Sequence, residues 1–222
     1  MSRTVVVLTA GLSQPSSTRL LADQLAAAVS AAVGGRGESV EFEVIELREL
    51  ASDLATTMIT GGLPTPTVAA AREKVSAADG VIAVTPVFGG SYGGLFKTFI
   101  DVLDTDALNG MPVLIAATAG TERHALMLDH AMRPLFTYLR AVIVPTGVFA
   151  ATADFGSTGL TERIHRAAAE LATLIVAAPI GVQGFLRDTA PRHRHSGNSL
   201  GAVTPFGQLL AGHTGGEHSR SR

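Results

Sequence analysis

The stretch Val81-Ile82-Ala83-Val84-Thr85-Pro86-Val87-Phe88-Gly89-Gly90-Ser91-Tyr92-Gly93-Gly94-Leu95-Phe96-Lys97 sets the pattern for the whole chain. An unbroken apolar run opens it, of the kind found in strands covered on both faces. A helical spacing closes it and continues through Phe99, Ile100 and Leu103. Between them lie four glycines and a proline. That composition predicts an irregular loop, neither helix nor strand. Glycine has no Cβ, so the backbone of such a loop can come close to a flat ligand. A second reading competes. Gly89-Gly90-Ser91-Tyr92-Gly93 also fits G-x-S-x-G, the turn that presents a serine nucleophile.

Outward from this stretch, strand and helix patterns alternate. Val5-Val6-Val7-Leu8 predicts a first strand, and residues 10–17 a loop. Residues 18–33 read as a helix stopped by Gly34-Gly35-Arg36-Gly37. Val40, Phe42 and Val44 alternate with glutamates, as in a strand at the edge of a sheet. Short helices are predicted over 50–59 and 67–78, on either side of Pro64-Thr65-Pro66. Beyond the central loop come a helix over 95–103, a strand over 113–117 and a loop at Thr118-Ala119-Gly120-Thr121. A long helix over 122–139 follows. A fifth strand is predicted over 142–149, with a bulge at Pro145, and a last helix over 160–177.

This alternation predicts an α/β fold with a parallel sheet and helices on both faces. Five strands suit the doubly wound order 2-1-3-4-5. There the switch point lies between the first and third strands, and ligands sit outside their carboxyl ends. The loops leaving those two strands, residues 10–17 and 86–94, are also the most unusual in composition.

Bulk properties exclude several classes. The 222 residues suit one domain with a tail, and the chain has no cysteine, which removes disulfides, thiolate metal sites and cysteine nucleophiles. Net charge is −2, and no basic face points to nucleic acid. The apolar runs are far shorter than the ~20 residues that span a bilayer, and the start does not resemble a signal peptide. A cytoplasmic protein is expected. From residue 179 onward the pattern fails. Arg192-His193-Arg194-His195-Ser196-Gly197-Asn198 is polar and punctuated by Gly and Ser, so a mobile tail is expected over 179–222, with a short helical segment near 204–211.

The first loop, Gly11-Leu12-Ser13-Gln14-Pro15-Ser16-Ser17-Thr18, is neither G-x-G-x-x-G nor a P-loop. It places the hydroxyls of Ser13, Ser16, Ser17 and Thr18 at a helix N-terminus, where free N–H groups and the helix dipole favour an anion. A plain N-cap with a turn is the alternative. In the central loop, the strand ends at Thr85 in this reading and Pro86-Val87-Phe88 intervene, so Ser91 sits too far out for a nucleophile elbow. A flavin accounts for more of these residues. The backbone of Pro86, Val87, Phe88 and Gly89 would follow the polar edge of the ring, Ser91 would fix the loop by bonding its own backbone, and Thr118, Ala119 and Gly120 would line the pyrimidine side. Hydride passes from nicotinamide to flavin without an acid or base from the protein.

Pro86-Val87-Phe88-x-x-Ser91-x-x-Gly94-x-x-Lys97 resembles the second flavin loop of the NAD(P)H-dependent FMN reductases with a flavodoxin-like fold. Gly120 followed by His124-x-x-x-Leu128-Asp129-x-x-x-Arg133-Pro134-Leu135 is similar to the alkanesulfonate-monooxygenase type. The resemblance covers residues 1–178 and implies a flavodoxin-like three-layer sandwich with FMN and NAD(P)H as ligands. It implies a phosphate site at Gly11, Ser13, Ser16, Ser17 and Thr18, a ring site at Pro86, Val87, Phe88, Gly89 and Ser91, and a third wall at Thr118, Ala119 and Gly120. It further implies a homodimer or homotetramer that supplies reduced FMN to a flavin-dependent monooxygenase. Two departures stand out: no arginine lies among the serines of the first loop, and Phe88 replaces the commoner tyrosine. The rivals are a quinone, azo-dye or metal-ion reductase with tightly held FMN, a serine esterase using Ser91, and a flavodoxin-like electron carrier. The helix over 122–139 has an apolar stripe too wide for one buried face, which points to subunit contact. His124 and His130 read as polar interface or capping residues.

Overall fold

The computed structural model of the chain describes residues 2–177, 194–198 and 208. Its apolar runs form one parallel sheet. β1 (Ser2–Thr9) pairs with β2 (Ser39–Glu46) on one side and β3 (Gly80–Phe88) on the other. β3 carries a short antiparallel partner, β4 (Ser91–Tyr92), and pairs along its length with β5 (Pro112–Ala119). β6 (Val142–Ile143) and β7 (Val148–Ala151) share the position beyond β5, both parallel to it. The order β2-β1-β3-β5-β6 is the expected 2-1-3-4-5 with its last strand split. β2, with its alternating glutamates, is the edge.

The split has a local cause. Leu114 and Ile115 of β5 are matched by the four residues 144–147. Pro145 has no N–H for the ladder. The freed groups find partners elsewhere. Glu170 accepts from the Thr146 N–H and hydroxyl, both at 2.7 Å, while Arg133 donates to the carbonyls of Val144 and Pro145 at 3.2 and 3.1 Å.

Helices cover both faces because successive strand residues point to opposite sides. Val5 and Val7 pack with Leu21, Leu25 and Val29 of α1 (Ser17–Gly34). Val6 and Leu8 face a layer that includes Leu54 of α2 (Ala51–Ile59), Val68 and Val75 of α3 (Pro66–Ala77), and Phe96 and Phe99 of α4 (Gly94–Asp101). That layer also takes Phe136 of α5 (Arg133–Tyr138), whereas α6 (Thr158–Ala177) lies beside α1. Ser16 and Thr65 cap α1 and α3, accepting from the N–H groups of Arg19 and Val68.

Two local expectations are corrected. Pro86, Val87 and Phe88 do not belong to an irregular loop. They extend β3, and Phe88 and Val87 pair with Ser91 and Tyr92 across a two-residue turn at Gly89-Gly90. Both glycines have positive φ, 57° and 79°, as the hairpin turn whose twist matches its strands requires. The segment 122–139 is not one helix. It is a 3₁₀ turn (Glu122–His124), a π turn (Leu128–Met132) and then α5. Pro134 has no N–H, and in a straight α-helix its ring would meet the carbonyl four residues back, at His130. The wider turn lies where that clash would fall. Met127, Leu128, Met132, Phe136 and Leu139 are buried, while Leu126 and Tyr138 are 66% and 79% exposed.

Among the described residues no helix is long and apolar enough to cross a membrane. Residues 194–198 lie against the domain: Arg72 Nε donates to the Ser196 carbonyl at 2.8 Å, and Asn198 Nδ2 to that of Ala69 at 2.8 Å. The rest of the expected mobile tail, including the helical segment near 204–211 apart from Gln208, lies outside the described residues.

Candidate active site

The carboxyl ends of β1, β3, β5 and β7 open on a cavity of about 290 Å³. It lies at the topological switch point. Ser13, Ser16, Ser17 and Thr18 form one wall, Pro86, Val87 and Phe88 the second, and Thr118, Ala119 and Gly120 the third. The three loops therefore meet in one place. None of the lining residues carries an ionisable side chain.

The first wall is shaped by Gly11. A Cβ there would stand 2.0 Å from Ser16 Oγ and 3.2 Å from Thr18 Cβ. A side chain at this position would push the Ser16 hydroxyl out of its place in the wall. Gly11 thus works beneath the wall and does not line it. Ser13 Oγ donates to the Pro15 carbonyl at 2.9 Å, and Ser16 caps α1. The N–H groups of Ser17 and Thr18, in the first turn of the helix, have no intrahelical acceptor. Thr18 and Thr118 are both buried, and their hydroxyls meet at 2.8 Å. This bond ties the start of α1 to the end of β5. Thr9, at the end of β1, is 2% exposed, and its hydroxyl has no partner among the described residues.

The second wall is held by Thr85. Its buried hydroxyl donates to the Pro86 carbonyl and accepts from the Gly93 N–H, both at 3.0 Å. The loop-fixing role expected of Ser91 falls to this residue. Ser91 lies in β4 opposite Phe88, and neither it nor Gly89 lines the cavity.

Sequence reasoning missed Leu12 and Thr152. Leu12 is 56% exposed, an apolar side chain in a polar loop. Thr152 follows β7 directly, and its hydroxyl lies 3.5 Å from the Ala119 carbonyl. The rule that ligands sit outside strand carboxyl ends applies to the fifth strand too and would have found it.

Charge stands beside the cavity, not in it. Arg19 donates to Asp23 at 2.7 Å and to Glu46, and Arg48 donates to Glu46 at 2.7 Å. With its amide oxygen turned toward Arg48, Gln14 accepts from Nη1 at 2.9 Å. The hydrogen bond to Asp23 is the largest influence on Arg19 and raises its pKa; burial opposes it, and the bond to Glu46 adds to the rise. The hydrogen bond from Arg48, helped by Arg19, holds the Glu46 carboxyl below its ordinary range. Arg19 is thereby engaged beside the serine loop.

Residues 3–156 match the family described as NADPH-dependent FMN reductase. The chain is 39% identical over 175 residues to an FMN reductase (NADPH) of Pseudomonas aeruginosa, covering 77% of this chain and 91% of that protein. It is 40% identical over 168 residues to the NADH-dependent FMN reductase SfnF of Pseudomonas fluorescens, covering 76% and 87%. Among solved structures, an oxidoreductase from Corynebacterium diphtheriae superposes with a TM-score of 0.77 at 56% identity, over 79% of this chain and 97% of that one. The apo form of the NADH:FMN oxidoreductase EmoB gives 0.70 at 25% identity, over 80% and 92%.

Proposed function

The chain belongs to the NADPH-dependent FMN reductase family, and from that premise we propose that it binds FMN in the switch-point cavity and reduces it with NAD(P)H. One observation carries the reading. Three loops far apart in sequence meet in one cavity whose walls offer hydroxyls, backbone groups and apolar surface but no ionisable side chain.

The residues suit the group. Ser13, Ser16, Ser17 and Thr18, with the free N–H groups of the first turn of α1, would hold the phosphate. The absent Cβ at Gly11 keeps that cradle open. Pro86, Val87 and Phe88 would hold the ring edge, with Gly89 and Ser91 shaping the hairpin behind them, while Thr118, Ala119 and Gly120 would close the opposite side with Thr152. When bound, FMN supplies a hydride acceptor at N5. The chain's own part is position: it fixes the ligand and shields one side of the site from water. No side chain is needed to move a proton.

Because Arg19 is engaged by Asp23 and Glu46, the phosphate would be held by neutral donors alone. That favours FMN as an exchanging substrate, and with it a flavin-dependent monooxygenase that receives the reduced form. The same reading carries a cytoplasmic location, a homodimer or homotetramer, and a reductase domain spanning residues 1–178. The test is NAD(P)H oxidation by the purified chain across a range of added FMN. Saturable, FMN-dependent oxidation is expected, and FMN should leave on dialysis. No flavin-dependent oxidation would overturn the proposal, and a protein that stays yellow through dialysis would overturn the substrate role.

A further inference from the structure

A second cavity, of about 350 Å³, takes its lining from two of the same chain segments as the first. The hairpin gives Phe88 to the first and Gly90 to the second. The segment after β5 gives Gly120 to the first, and Arg123 and His124 to the second. Two or three residues of chain span at most about 7–10 Å, so on both segments the two linings stand within that distance of each other. Their chemistry differs. The first has no ionisable lining, whereas Arg123, His124 and His130 all face the second. All three are exposed. None of them forms an ion pair with another described residue. The nearby carboxylate of Asp129 is taken by Arg133 at 3.1 Å.

We propose that this second cavity binds the 2′-phosphate of NADPH, with Arg123 as its main contact and His124 and His130 flanking it. The inference rests on the first cavity being the flavin site. A nicotinamide stacked on the ring would leave the rest of the dinucleotide to run outward, and the nearby basic cavity offers the charge that a phosphate dianion needs. An arginine fork pairs with phosphate through two parallel hydrogen bonds. NADH lacks that phosphate, so Arg123 would set the nucleotide preference.

The test compares wild type with Arg123→Ala in the full chain at saturating FMN. KM is measured for NADPH and for NADH, and the binding of 2′,5′-ADP and of 5′-AMP is measured by calorimetry without flavin. Wild type should have the lower KM for NADPH. The variant should raise that KM about tenfold, the loss of one charge-assisted bond, while KM for NADH stays within about twofold. 2′,5′-ADP should bind wild type and lose its affinity in the variant, with 5′-AMP weak on both. An unchanged FMN dissociation constant would show that the variant is folded. An equal rise for both nucleotides would move Arg123 to the pyrophosphate and overturn the assignment. Unchanged KM values and unchanged 2′,5′-ADP binding would overturn the site. Failure of wild type to reduce FMN with either nucleotide would instead count against the flavin reading, and the 2′,5′-ADP arm would still decide the phosphate site.

Discussion

Thr85 sits at the last fully buried position before the hairpin, and its hydroxyl makes two hydrogen bonds there, one given and one accepted. Replacing it with valine keeps the shape and removes both. The Gly93 N–H would then be buried without a partner, a cost of about 1–3 kcal/mol. Urea unfolding of Thr85→Val should show a loss of that size, and a loss below about 0.5 kcal/mol would deny Thr85 this role. The sequence offered no way to choose Thr85 over Ser91 for the task. Both are hydroxyls beside glycines, and only the strand register decides which is buried. Gly11 was legible as a member of the first loop, but its reason was not. The near collision of its missing Cβ with Ser16 appears only once the loop is folded.

At the scale of elements, the central stretch is more ordered than its composition implies. Four glycines suggested an open loop, yet two of them make a tight turn and the backbone on either side pairs. The reason is that Gly-Gly flanked by Val-Phe and Ser-Tyr is also a hairpin signal, and the proline masks it. Pro86 lies outside the pairing with β4, which reaches only Val87 and Phe88, and stands in register with Thr118 of β5. The hairpin is anchored to its own following helix. Tyr92 stacks obliquely on Phe96 at 6.0 Å between ring centroids, and Phe96 on Phe136 of α5 at 6.2 Å. Phe96 is fully buried. Phe96→Ala should cost about 3–5 kcal/mol of stability, and because it unpins the hairpin from both helices it should also weaken FMN binding. Thermal unfolding with and without FMN would separate the two effects. A loss under about 1 kcal/mol would mean that these rings do not form the brace. The broken helix after β5 was the other misreading. Apolar periodicity carries through 3₁₀, π and α turns alike, so the stripe concealed the break that Pro134 marks.

At the scale of the molecule, sheet order and switch point were legible because each strand is an unbroken apolar run and each crossover a helix. The bonds that join distant segments were not. Glu46, at the end of β2, takes Arg19 from α1 and Arg48 from the turn beyond, and Arg48 reaches Gln14 in the serine loop. The folded Glu46 carboxyl titrates below its ordinary value of 4.5. Its contribution to stability is therefore full above that pH and is lost as pH falls through the lowered value. Glu46→Gln should be less stable than wild type at neutral pH, and the gap should close progressively below about pH 4.5. A gap that does not change with pH would show that ionic pairing of Glu46 is not what stabilises this corner. Among the described residues this network leaves the phosphate loop without a free cation, so hydroxyls, N–H groups and the helix dipole would hold that end of the flavin. The most direct test of that claim is fluorescence titration of FMN and of riboflavin, which lacks the phosphate, against wild type and Gly11→Ala. Wild type should bind FMN more tightly than riboflavin. Gly11→Ala should lose about tenfold in FMN affinity while its affinity for riboflavin holds. Equal affinity of wild type for the two flavins, or an FMN affinity that the alanine leaves untouched, would contradict the account.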